Sequence, residues 1–120
     1  MVKRPDVPQT WVTRVRTMVQ FPEVHEEDAW TGVRWRIGQH TFAHIFGGED
    51  QLFRITFRAP GDEVAAFVHM GLPYFRVGGN AVGIIVNDDT DWTELGELLT
   101  DSYRLQAPAR LADQILTDQI

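Results

Sequence analysis

Val33-Arg34-Trp35-Arg36-Ile37 alternates apolar and charged side chains with a period of two, and Phe53-Arg54-Ile55-Thr56-Phe57-Arg58 alternates in the same way. Successive side chains of a strand point to opposite faces, so each run presents one apolar and one polar face. A sheet built from such strands must cover its apolar face and can leave the other to water. Between the two runs, Gly38-Gln39-His40 reads as a turn into a second strand over 41–46, and Gly47-Gly48-Glu49-Asp50 as a turn into a third over 51–58. Connections this short join antiparallel strands.

Helical spacing flanks the strands. Trp11, Val15, Met18 and Val19 predict a helix over 9–19, with Thr10 as its cap and Phe21-Pro22 as its stop. Residues 22–32 read as a connection, its acidic Glu26-Glu27-Asp28 solvated. Pro60-Gly61-Asp62 opens a short helix with Val64, Phe67 and Val68 on its apolar side, ended by Gly71 and Pro73. Gly78-Gly79-Asn80, between apolar runs at 74–77 and 81–86, signals a hairpin. Asp91 with Glu94 three residues on has the capping-box pattern, ahead of a stripe formed by Trp92, Leu95, Leu98, Leu99 and Tyr103. Beyond Pro108, Leu111, Ile115 and Leu116 suggest a last amphipathic helix. The expected fold is α+β in two layers: an antiparallel sheet of about five strands with the N- and C-terminal helices packed on one face. Residues 1–120 are expected to form one domain, with 1–8 flexible.

A chain of 120 residues can bury a core without metals or disulfides. The absence of cysteine excludes disulfides, thiolate metal sites and thiol nucleophiles. No apolar run approaches the ~18 residues of a membrane span, and residues 1–8 lack the apolar stretch of a signal peptide, so a cytoplasmic protein is expected. The net charge of −6 is uneven: residues 1–60 carry eight Lys/Arg and seven Asp/Glu, residues 61–120 three and ten. An acidic total argues against a dedicated high-affinity nucleic-acid binder but leaves room for a local arginine patch.

Few residues carry the patterns of catalysis. Ser102 is the sole serine and lies within the last long helix, where it is expected to face solvent without the strained turn of a nucleophile. His40 and His44 are four apart on a strand, a separation of roughly 13 Å that two ligands of one ion do not span. His44 is expected to pack beside Phe42 and Phe46 or to face solvent. His25-Glu26-Glu27-Asp28 reads as a loop, and Asp88, Asp89 and Asp91 as a turn leading into a helix N-terminus. Gly47-Gly48 and Gly78-Gly79 sit between strands and not in a phosphate-cradling strand-to-helix turn. No metal, no cofactor and no enzymatic activity are expected.

The outward arginines are different. Arg34, Arg36, Arg54 and Arg58 should stand together on the polar face of the sheet, with Arg14 of the first helix as a further candidate. Arginines so arrayed can contact phosphates, position an acidic protein, or simply be solvated. An alternative interaction surface is the apolar C-terminal segment Leu111, Ile115 and Leu116, and a third reading is a ligand pocket holding His25 or His44 beside a carboxylate.

The chain resembles the MmcQ/YjbR family of small bacterial proteins over about 11–111. The carriers are Phe21-Pro22-Glu23-Val24, the hairpin from Val33 to Phe46, the run from Leu52 to Phe57, and Pro73-Tyr74. The most specific are Asp91-Trp92-Thr93-Glu94-Leu95, Asp101-Ser102-Tyr103-Arg104-Leu105 and Ala107-Pro108. The resemblance implies a frataxin-like α+β fold and DNA binding; joined to the outward arginines, it gives the expectation of weak DNA binding through the arginine face, by phosphate contacts that do not specify sequence. Where members often carry basic residues and a Trp in the last hairpin, this chain has Gly78-Gly79-Asn80-Ala81; where they tend to have Lys at the end of the third strand, it has Arg58. Frataxins place carboxylates on their first helix for iron; here that helix has Arg14 and Arg16 and no carboxylate between Gln9 and Gln20.

Overall fold

The computed structural model describes residues 3–118, with side chains for 3–115. The elements run α1 (Gln9–Met18), β1 (Val24–Asp28), β2 (Val33–Ile37), β3 (His40–Gly47), β4 (Phe53–Arg58), α2 (Gly61–Met70), β5 (Tyr74–Gly78), β6 (Ala81–Val86), α3 (Trp92–Gln106) and α4 (Ala109–Asp118). Six strands form one sheet in the order β1-β2-β3-β4-β6-β5, and every neighbouring pair is antiparallel. The α+β class is as expected; the strand count rises by one because residues 24–28 are an edge strand and not a connection. Val-His-Glu-Glu-Asp carries no apolar alternation, since an edge strand half in water needs little.

Alternation decides the core. Trp35 and Ile37 of β2, Ile55 and Phe57 of β4, and Val82, Ile84 and Val86 of β6 are buried on one face. The helices cover that face: α3 lies across β3 and β4 with Leu95, Leu99 and Tyr103 fully buried, and α2 packs Val64 and Phe67 against β5 and β6. α1 inserts Val12 and Val15 beside α3, and Val19 just past its end is buried with them. Its N-cap is Pro8, with no side-chain bond, so Thr10 lies inside the helix and does not cap it.

In β3 the alternation slips. Trp35 faces Ala43 but Arg36 faces Thr41, so Phe42 is an extra residue, and both Phe42 and Ala43 are buried. This bulge explains Ser102, which is fully buried and does not face solvent. The β3–β4 ladder stops at Ala43–Phe57. One step beyond, the Arg58 N–H donates to Ser102 Oγ (2.8 Å) and the Ser102 hydroxyl donates to the Phe42 carbonyl (2.6 Å). The hydroxyl thus replaces the ladder hydrogen bond that the bulge removes, which satisfies two backbone groups that would otherwise be orphaned in the core.

Other caps and termini tie the layers together. Asp91 Oδ1 accepts from the Glu94 N–H at 3.0 Å, as the capping pattern predicts, but the Glu94 carboxylate accepts from the Tyr74 hydroxyl (2.5 Å) instead of closing the box. Tyr103 donates to the Pro22 carbonyl (2.8 Å) and stacks on Phe21 at 4.7 Å. Residues 3–8, expected to be loose, lie against the end of the sheet: Pro5 fills the space above Gly47, and the Lys3 carbonyl accepts from Gln51. Leu111 and Ile115 of α4 are buried, so they do not offer the exposed apolar surface of the alternative reading; the side chain of Leu116 lies outside the described residues. No described helix is long and apolar enough to cross a membrane.

Candidate functional site

The face of the sheet opposite the helices carries the candidate residues. His25 and Glu27 of β1, Arg34 and Arg36 of β2, His44 and Phe46 of β3, Arg54, Thr56 and Arg58 of β4, and Phe75 of β5 share it by register. Four of the five predicted arginines therefore meet on one surface. Arg14 does not: it sits in the helical layer, its guanidinium 4.8 Å over the Trp92 ring. An i, i+2 pattern on strands is readable in sequence, whereas which side of a sheet a helix occupies is a tertiary outcome.

The arginines are not bare. Arg34 and Arg36 both converge on the Glu27 carboxylate, Arg36 at 3.2 Å. Burial would raise the Glu27 pKa, but the hydrogen bonds from Arg34 and Arg36 outweigh it and hold it below the usual carboxylate range. Arg54 pairs with Asp50 at 2.5 Å, and that bond holds Asp50 low. Arg36 and Arg54 each keep a buried Nε–H with no acceptor. Arg58 meets the neutral amide oxygen of Asn80 at 3.0 Å. Sequence pattern alone does not reveal Glu27, because residues 22–32 lack the alternation of a strand; only pairing β1 with β2 puts it across from Arg34.

Glu26, next to Glu27, points the other way and shows how the edge strand serves both faces. Its carboxylate accepts from Arg16 Nε and Nη2, each at 2.8 Å, and from the Trp35 indole N–H at 2.9 Å, which fastens α1 to β1. The bond from Arg16 holds Glu26 low, against its partial burial.

Apolar groups interleave with the charges. His44 stacks on Phe46 with centroids 4.6 Å apart, and its Nε2 lies 2.7 Å from the Thr31 carbonyl. Burial, helped by Arg34, pushes the His44 pKa down against that hydrogen bond. The Arg54 guanidinium sits 6.0 Å from the Phe46 ring and 5.8 Å from Phe75. Beside it runs a groove of about 680 Å³ between Leu52, Leu72, Phe75 and Ile85. A second cleft of about 500 Å³ holds Tyr74, Glu94, Asp89 and Asp91. Burial, then the bond to Glu94, pushes the Tyr74 pKa up to about 12, so the phenol stays protonated at neutral pH and is no base. Neither His25 nor His44 lines these two clefts, and His44 meets a backbone carbonyl and not a carboxylate. Among the described residues no three His, Asp or Glu side chains are gathered as a metal site would need.

The family model described as YjbR matches residues 19–105, from the end of α1 to the last turn of α3. Comparison with curated proteins and with solved structures returned no match.

Proposed function

The chain belongs to the YjbR family, and from that premise we propose that it is a non-catalytic binding module that holds DNA, weakly and without sequence preference, on the helix-free face of its sheet. The observation that carries this reading is charge placement. Four arginines against the two carboxylates Glu27 and Asp50 leave these side chains at +2, on a chain of net −6. The face that no helix covers thus carries a locally cationic patch. Arg34, Arg36, Arg54 and Arg58 contact phosphate oxygens, which positions a strand without reading its bases. Because three of the four are tied to carboxylates, affinity is low and falls only modestly with salt.

The test is fluorescence anisotropy with labelled single-stranded and duplex DNA at about 50 mM and 200 mM salt. Binding that weakens with salt, and that Arg58→Glu together with Arg54→Glu abolishes while the fold is kept, supports the reading. Absence of binding to both forms at the lower salt sinks it.

A protein partner is the second reading. It rests on the exposure of Leu52 and Leu72, which are 48% and 84% accessible along the groove.

A further inference from the structure

We propose that the strand held on this face is unpaired, with roughly two or three bases stacked along a row of planar side chains, His44, Phe46, Arg54 and Phe75. The inference rests on the DNA reading above and narrows it to a single strand. The row is continuous. His44 and Phe46 are tilted by 34° at 4.6 Å, and Arg54 bridges Phe46 at 6.0 Å to Phe75 at 5.8 Å. Phe46 and Arg54 are direct cross-strand neighbours on β3 and β4.

Phe75 joins the row because of a glycine. β6 lies between β5 and β4, and a side chain on it would keep Phe75 away from Arg54. At Gly83, opposite Phe75, a Cβ would stand 2.2 Å from the Phe75 ring. The ring therefore lies flat over the β6 backbone. The groove alongside, walled by Leu52, Leu72 and Ile85, gives an apolar base a place to sit without losing contact with the rings.

Electrostatics favour an unpaired strand over a duplex. A duplex hides its base faces and offers this surface chiefly phosphates, which need free cations. Here Glu27 and Asp50 hold three of the four arginines. An unpaired strand exposes its base faces, and stacking on aromatic rings and guanidinium planes compensates for weak phosphate contact. With about two phosphates neutralised, the affinity for a single strand should fall roughly sevenfold between about 50 mM and 200 mM salt.

The experiment compares a labelled oligothymidine and oligouridine of about 12 nucleotides with a duplex of that length, on wild type, Phe46→Leu, Phe75→Leu and Gly83→Ala. Leucine keeps the apolar bulk and removes the stacking plane; alanine at 83 lifts the Phe75 ring off the sheet while leaving its chemistry intact. Tighter binding of a single strand than of duplex, weakened roughly tenfold in each variant that folds, supports the proposal. Oligothymidine bound at least as tightly as oligouridine supports DNA as the ligand; a marked preference for oligouridine overturns it. Equal binding of strand and duplex, unchanged in Phe75→Leu and Gly83→Ala, overturns it while leaving phosphate contact by the arginines intact. No binding of any oligonucleotide overturns both readings and leaves the groove to a protein.

Discussion

The two faces of the sheet are made by the same strands yet solve opposite problems. On the helix-covered face Trp35, Ile55, Phe57, Val82 and Ile84 are closed over by α2 and α3, and the polar groups there have defined partners: Ser102 the β3 and β4 backbone, the Trp35 indole the Glu26 carboxylate. On the open face arginines share carboxylates, rings lean on guanidinium groups, and a groove stays unfilled. The covered face is where stability resides; the open face is where change is tolerated and binding can occur. Glu26 and Glu27, adjacent on one edge strand, divide along the same line: one fastens a helix, the other restrains two arginines.

The comparison breaks most visibly at Leu99. Leu99→Ala removes a fully buried side chain and should cost about 2–5 kcal/mol in urea unfolding. Leu52→Ala, on the groove rim, should stay within about 0.5 kcal/mol. Equal costs would mean that the two faces do not differ in the way described. Ser102→Ala should cost about 1–3 kcal/mol, because it leaves the Arg58 N–H and the Phe42 carbonyl without partners in the core. A neutral result would show that the bulge closes on itself. Trp35→Phe drops the bond to Glu26 and removes part of a fully buried indole, for a loss of about 1–3 kcal/mol by the same measurement.

Glu27→Gln sharpens the other side of the comparison. Without that carboxylate Arg34 and Arg36 gain freedom, so nucleic-acid affinity should rise and the salt dependence steepen by about one unit of log–log slope. An unchanged slope would place the ligand away from β2. The smallest effect is expected from His44. Its pKa is lowered in the fold, so the unfolded chain takes up the proton first as pH falls. The stabilisation is complete above the ordinary value of 6.5 and fades as pH drops from there toward the depressed folded value. Replacing His44 by Phe should flatten the unfolding midpoint across that window, and a slope that persists would assign it to another group.

Much of this was legible beforehand. The strands at 33–37 and 53–58, the hairpin around Gly79, the cap at Asp91 and the outward facing of Arg34, Arg36, Arg54 and Arg58 all follow from periodicity and turn chemistry that operate within a few residues. What escaped needs partners distant in sequence. β1 is a strand because β2 supplies its ladder, not because its own residues favour one. Ser102 is buried because a bulge 60 residues away leaves a carbonyl that needs a donor. Phe75 reaches Arg54 because Gly83, on a third strand, stands aside.

By itself, then, the sequence determined the two-faced strands, the helices that cover one face, and a protein free of thiol chemistry. Those depend on spacing along the chain and on residue type, which short-range sterics and hydrophobicity convert directly into local structure. Only the tertiary structure decided that Glu27 holds the two arginines it faces, that Arg14 stands on the wrong side of the sheet to join them, and that His44, Phe46, Arg54 and Phe75 form one row. Charge pairing and ring contact act over a few ångströms, and which groups come that close is set by strand order and register, which no local pattern encodes.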